Sequence, residues 1–254
     1  MQISKNIQLG APGAMSSAEV ISLSDPGHDT GVMPAQSLSD RVREAIEAMI
    51  IGGQMLPGSR IDEAELTQKF KVSRTPMREA IKALIATGLL ESRPRQGVTV
   101  AALSTPVLLE MFDTMSMLEG MCAKYAARRA TFKQIAQLEE IQDRLEQAFK
   151  SGDPEGFYMT NLDFHEVIYC ATHTTFLAEQ TRSLRKRVAM YWKHVTYLPG
   201  RMAETVPEHQ CIIAAIKAKD PKAAELAGYQ HISLLGDNMI DFIARLPKAV
   251  TSDQ

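Results

Sequence analysis

The sequence predicts a mainly α protein in two parts, a small head of three helices and a β-hairpin followed by an all-α helical bundle. Three observations carry that expectation. Between residues 37 and 86, apolar residues recur at three- and four-residue steps in three short segments broken by Gly52-Gly53 and Pro57-Gly58. Two brief β-prone runs, 89–92 and 98–101, then flank Pro94-Arg95-Gln96-Gly97, a hairpin tip with its glycine where a turn needs one. From Thr105 onward the pattern is one of long amphipathic helices without strand candidates.

Residues 1–36 mix Ser, Gly, Pro and Ala without a period and form a flexible N-terminal extension, the segment 17–23 being too weak to predict a helix. Ser37 or Ser39 caps a first helix reaching Ile51, with Val42, Ile46, Met49 and Ile50 inward. Asp62 or Glu63 opens a second helix that runs to Phe70. Ser73 is the expected N-cap of a third, whose first turn holds Pro76, where a missing N–H costs no intrahelical bond. Met77, Ile81, Leu84 and Ile85 then face the core, and Gly88 stops the helix. Helix, helix, helix, hairpin is the order of a winged helix-turn-helix, here spanning 37–103.

A net charge of −2 gives the whole chain no attraction for nucleic acid, so any basic surface has to be local. Residues 71–97 hold Lys71, Arg74, Arg78, Lys82, Arg93 and Arg95 against Glu79 and Glu91 alone. Arg74, Arg78 and Lys82 recur every four residues along one face of the third helix. That pattern suits a major groove and equally suits a solvated helix face.

The bundle segments are 106–130, 133–150, 155–171, 175–198, 202–218 and 221–245, within a second domain of 106–246 and ahead of a tail at 247–254. Breaks fall at Ser151-Gly152-Asp153-Pro154, Thr172-His173-Thr174, Pro199-Gly200 and Asp220-Pro221, and Ser104-Thr105-Pro106 links the two domains. Leu138, Ile141, Leu145 and Phe149 make a core stripe. Cys122, Cys170 and Cys211 lie far apart in apolar helical patterns, which predicts buried thiols in a reducing compartment. No apolar run is long enough to span a bilayer and the N-terminus lacks a signal-peptide pattern, so a cytoplasmic protein without a membrane partner is expected. Asn161 and His165 sit four apart on one helix face, while His209 and His231 belong to the last two helices. Scattered histidines in a helical domain are usually core or surface residues, so by themselves they assign nothing. Met111, Met115, Met117 and Met121 either line a pocket or pack.

Ser73-Arg74-Thr75-Pro76-Met77-Arg78-Glu79-Ala80 resembles the recognition-helix signature of bacterial GntR-family transcription regulators. Leu56-Pro57-Gly58, Ile61-x-Glu63-x-x-Leu66, Val72, Gly88-Leu89-Leu90 and Arg93-Pro94-Arg95-Gln96-Gly97-x-x-Val100 extend the likeness over 37–102. The resemblance implies a double-stranded DNA operator as partner. It implies Arg74 and Arg78 on bases or phosphate, Thr75 on phosphate beside Ser73, Gln96 and Gly97 in the minor groove, and Lys82 and Arg95 on phosphate. Ala64 stands where some members carry a DNA-contacting arginine, so no operator sequence carries over.

Asn161-x-x-Phe164-His165, Glu208-His209 and His231 resemble the FCD effector-binding domain of FadR-type members over 106–245. That resemblance implies a divalent metal on Asn161, His165, His209 and His231, and three imidazoles with one oxygen suit zinc or nickel. Asn161 is neutral where an aspartate is common, so the site lacks one ligand charge. The same resemblance implies a homodimer, more often a repressor, that answers to a small organic acid anchored in the bundle. Members often place an arginine four residues before the glutamate of the first bundle helix; here the glutamate is Glu119 and that position is Met115. Arg187, on a helix that also carries Trp192 and His194, is the candidate substitute, and Met115, Arg187 and His194 are the expected effector contacts. No nucleophile and base accompany the histidines, although Glu208 adjoins one, so no enzyme is expected. The alternatives are a regulator that senses metal alone, or a helical-bundle metalloenzyme with a DNA-binding head.

Overall fold

The computed structural model describes residues 36–95 and 97–237. The N-terminal extension, Gln96, the end of the last predicted helix and the tail lie outside the described residues. The head comprises α1 (Leu38–Ile51), α2 (Glu63–Phe70), α3 (Arg74–Ala86), β1 (Leu90–Arg93) and β2 (Gly97–Val100). Ser37 caps α1 by accepting from the Asp40 N–H, and Asp62 caps α2 by accepting from Ala64 and Glu65.

Ser73 occupies the cap position of α3, but its hydroxyl makes no capping hydrogen bond, against expectation. The reason is local. A cap side chain bonds the N–H of the second or third helical residue, and the third residue here is Pro76, which has none. The hydroxyl and the first-turn N–H groups are therefore left at an exposed helix N-terminus.

The hairpin pairs Leu90 with Val100 and Arg93 with Gly97, each strand shifted by one residue from the predicted run. A third edge escaped the sequence reading. Ile61 N–H donates to the Val98 carbonyl at 2.8 Å and Val100 N–H to Ser59 at 2.9 Å, so the segment before α2 pairs with β2. Val42, Ile46, Met77, Ile81, Leu84, Leu90 and Val100 close the head's core, with Met49 and Ile85 half-buried against it.

Six helices follow: α4 (Thr105–Arg129), α5 (Phe132–Ser151), α6 (Pro154–Ala171), α7 (Thr175–Thr196), α8 (Arg201–Lys217) and α9 (Pro221–Asp237). Glycines set how closely α4 and α9 approach. A Cβ on Gly120 would stand 2.8 Å from the Glu225 carbonyl oxygen, and one on Gly228 2.9 Å from the Ala123 side chain. Leu138, Ile141 and Leu145 are buried as expected, whereas Phe149, near the end of its helix, is partly exposed. Met111 and Met115 are buried; Met117 and Met121 face solvent.

The cysteine expectation needs correction. Cys122 is buried, but Cys170 and Cys211 are exposed. Cys211 stands two residues beyond buried His209, about 200° around the helix, and so falls on its outer side.

The head sits on the bundle through α1 and α7. Lys186 Nζ lies 3.3 Å from Glu47, and the linker N–H of Leu103 donates to the Tyr191 hydroxyl. No helix among the described residues is long and apolar enough to cross a membrane.

Candidate functional site

Two constellations emerge, one on the head and one inside the bundle. On the head, Ser73, Arg74, Thr75, Arg78 and Lys82 are all exposed at or along α3, and Arg95 and Gly97 are exposed at the wing. Burial of Met77, Ala80, Ile81 and Leu84 on the opposite stripe forces this orientation. Arg74 and Arg78 flank a surface hollow between α2 and α3, shared with Glu63, Ala64, Thr67 and Gln68. Glu63 lies 3.7 Å from Arg78 and partly offsets its charge. At the wing, Arg95 has φ 65° and Gly97 φ 82°, so the tip turns sharply and presents backbone. Gln96, the remaining wing-tip candidate, lies outside the described residues.

In the bundle, the three histidines converge from three helices, His165 on α6, His209 on α8 and His231 on α9. His231 Nε2 is 3.3 Å from His209 Nε2 and 3.3 Å from His165 Nε2, and all three rings are buried. Carboxylates fix two of them. His165 Nδ1 is 3.1 Å from Glu119 on α4, and His231 Nδ1 is 2.7 Å from Glu208 on α8. Phe164 stacks on His209 with ring centres 3.8 Å apart and holds the third ring from its face.

Electrostatics fix the tautomers. Burial pushes the Glu119 carboxyl up, but His165, Arg185 and the Tyr169 hydroxyl outweigh it and bring it down to about 2. Burial likewise opposes ionisation of Glu208, and bonds from His231 and Arg201 overcome it, leaving the carboxyl lowered. Burial, and then the Arg185 charge, bring the His165 imidazole down to about 4. Burial depresses His209 and His231 as well, so neutral rings meet ionised carboxylates. An ionised carboxylate only accepts, hence each Nδ1 carries the proton and each Nε2 a lone pair. The His165 and His231 lone pairs thus face one another at 3.3 Å, which is repulsive unless a cation lies between.

Asn161 Oδ1, one turn before His165, is buried without a partner, and so is His209 Nδ1, the ring nitrogen that does not face His231. Three imidazole nitrogens that face one another, two of them on rings oriented by carboxylates, form a donor set that fits a borderline divalent ion.

The expected effector contacts are not brought to this cluster. Arg187 instead presses on the head–bundle junction, its Nε 3.0 Å from where a Cβ on Gly88 would stand, beside Leu89 and Tyr191. Met115 packs in the apolar cluster of Phe112, Tyr158, Val188 and Trp192. His194 Nδ1 bonds the Met190 carbonyl of its own helix. The arginine that does reach the cluster is Arg185, buried, with Nη1 3.0 Å from Glu119. Its signal was available in the helical phase, since Arg185 shares a stripe with Thr181, Val188, Ala189 and Trp192, all buried. Glu119, Tyr169, Arg201 and Glu208 were missed as supports of the rings. Glu119 and Glu208 were visible only as members of the FCD-like pattern, and Tyr169 and Arg201 only as groups with a polar end at buried helix positions.

The chain matches two families. Residues 38–100 match "Bacterial regulatory proteins, gntR family" and residues 110–234 match the "FCD domain". The HTH-type transcriptional regulator McbR of Escherichia coli (strain K12) is 28% identical over 193 residues, 75% of this chain and 87% of that protein. The galactonate operon transcriptional repressor of the same organism is 28% identical over 216 residues, 77% of this chain and 93% of that protein. The solved structure of E. coli McbR/YncC superposes with a TM-score of 0.71 at 25% identity, covering 84% of this chain and all 100% of that one.

Proposed function

Because the chain belongs to the gntR family of bacterial regulatory proteins and carries an FCD domain behind its DNA-binding head, we propose that it is an operator-binding repressor whose bundle holds a divalent metal and answers to a small organic acid. That it is a DNA-binding transcription regulator follows from the family, and its domains and relatives are those of regulators, not enzymes. Repression has support in named relatives, among them the galactonate operon repressor.

On the head, Arg74 and Arg78 read the major groove, with Thr75, Ser73 and the free N–H groups of the α3 terminus on phosphate. Lys82 and Arg95 add phosphate contacts, and Gly97 with Gln96 approaches the minor groove. One head covers a short half-site, so a homodimer is needed for useful specificity.

In the bundle, His165, His209 and His231 hold the ion through nitrogen, with the Asn161 amide oxygen as fourth ligand. The observation that carries this reading is the pair of imidazole lone pairs facing each other, their Nδ1 protons committed to Glu119 and Glu208. Zinc or nickel bound there would supply a Lewis-acidic centre able to take a carboxylate oxygen as a further ligand. Glu119 and Glu208 keep the rings in the binding tautomer, and Arg185 and Arg201 keep those carboxylates ionised.

Met115, buried where an arginine would meet the acid, favours a second reading in which the metal alone is the signal. One set of titrations separates the two. A duplex from upstream of the native operon is titrated with metal-free and metal-loaded protein, with and without small acids, by mobility shift. An acid-dependent release supports the first reading, and a DNA affinity that follows metal alone supports the second. Arg74→Ala and Arg78→Ala variants that bind as tightly as wild type overturn the groove assignment.

A further inference from the structure

Along α4, Glu110, Asp113, Thr114, Met117, Met121 and Arg128 are exposed, with half-buried Lys124 between the last two. Their helical spacing puts them in one straight stripe. The opposite stripe, with Met115, Glu119, Cys122 and Ala126, is buried in the bundle. The exposed stripe is apolar at its middle. Met117 is 61% exposed, and Met121 is exposed one turn on. Leu226 and Tyr229 of the adjoining α9 are exposed as well. The Tyr229 Cβ lies 3.3 Å from where a Cβ on Gly120 would stand, so α9 borders the same patch.

The charges of the stripe are sorted by end. Glu110 and Asp113 lie toward the N-terminus of α4, Lys124 and Arg128 toward its C-terminus. Among the described residues, only Lys124 of these four has an ion-pair partner, Glu225 at 2.7 Å. The helix dipole favours charges of those signs at those ends, but it does not account for exposed methionines between them. Reversed about the point midway between Met117 and Met121, the stripe complements itself. Met117 falls opposite Met121, Thr114 opposite Lys124 and Glu110 opposite Arg128. A two-fold interface needs that property, because each copy offers the other the same surface.

We propose that this stripe is the dimer seam, docking antiparallel on the same stripe of a second copy of the chain. Met117 packs on the partner's Met121, and Glu110 lies near the partner's Arg128. Leu226 and Tyr229 widen the apolar centre, and methionine and tyrosine are residues that interface cores favour. A crossing of about 20°, usual between antiparallel helices, keeps both charged ends within reach. The seam also spaces the heads. Each head joins α4 at its N-terminus, and at 1.5 Å per residue the two N-termini stand about 40 Å apart. Half-sites one helical turn of DNA apart are separated by roughly 34–36 Å. The proposal rests on the homodimer reading and adds to it a face, a direction and a register.

The test is sedimentation velocity on the full chain across a dilution series. Met117→Glu changes an exposed position and should raise the dimer dissociation constant at least tenfold, because two carboxylates enter the apolar centre. Glu110→Arg should do the same, and adding Arg128→Glu to that chain should restore the wild-type value, since both ends are then exchanged in both copies. For the register, single cysteines are placed in a Cys170→Ser, Cys211→Ser background. A mixture of Met117→Cys and Met121→Cys chains should cross-link on oxidation at least tenfold faster than either chain alone. A Met117→Glu dimer as tight as wild type, or an exchanged pair that restores nothing, leaves the homodimer standing and overturns this face. Cross-linking as fast in either chain alone overturns the antiparallel register. A wild-type chain that stays monomeric at micromolar concentration ends the homodimer reading, and this proposal with it.

Discussion

Glu208→Gln is the sharpest test of the imidazole cluster. Glu208 accepts from His231 Nδ1 at 2.7 Å and from both terminal nitrogens of Arg201 at 2.8 and 2.6 Å. The amide keeps the size but loses the charge, and it can turn its NH2 toward Nδ1, which favours the tautomer with Nε2 protonated and unable to bind metal. Loss of such a supporting partner lowers metal affinity by about 10- to 100-fold, or about 1.4–2.7 kcal/mol. The folding cost should be smaller than for an orphaned buried charge. Arg201 keeps the His231 carbonyl at 3.3 Å and Glu204 at 3.4 Å, so about 1–3 kcal/mol is expected rather than the larger loss of a fully stranded ion. Competition for zinc against a chromophoric chelator at neutral pH reads the affinity, and thermal melts of metal-free protein read the stability. Glu204→Gln is the control, because Glu204 is 69% exposed and pairs with Arg201 at 3.4 Å without reaching a ring; its metal affinity should not move. A folded Glu208→Gln variant that holds zinc as tightly as wild type refutes the tautomer argument, as does an equal loss in the control.

Three further outcomes follow from the same structure. Removing Arg74 or Arg78 should weaken operator binding, and should flatten the dependence of log affinity on log salt by about 0.9 for each phosphate no longer neutralised, measured by fluorescence anisotropy; affinity and slope both unchanged with the two gone place the head elsewhere. Gly88→Ala should cost about 1–2 kcal/mol, because φ is +75° and the new methyl meets Arg187 at 3.0 Å, and a denaturant midpoint equal to wild type would contradict that. Metal-free protein should lose stability on acidification. The three imidazoles lie below their ordinary 6.5 when folded, His165 at about 4, because burial disfavours their charged form. The unfolded chain thus binds more protons below pH 6.5, and stability that is intact above that value drains as the pH falls toward 4. Equal urea midpoints at pH 7.5 and pH 5 would refute this.

Much of the head was legible because its determinants are local. The Asp62 cap, the glycines after α1, the stop at Gly88 and the buried stripe of α3 each act within about four residues of where they are written. Even the failed expectation at Ser73 had a local cause, the proline three positions on. The strands slipped by one because hairpin pairing and the added edge from residues 59–61 are settled between segments, not within them.

Helical phase was also legible, and it separates the two arginines of α7. Arg185 and Arg187 lie two residues apart, about 200° around a helix, so one reaches Glu119 while the other meets Gly88. By itself, then, the sequence determined which segments coil, where they stop and which stripe of each is apolar, all consequences of capping, turn chemistry and period. Only the tertiary structure decided that Glu119, His165, Glu208, His209 and His231, scattered over four helices, would meet around three facing nitrogens. Long-range packing sets those distances, and no spacing along the chain encodes them.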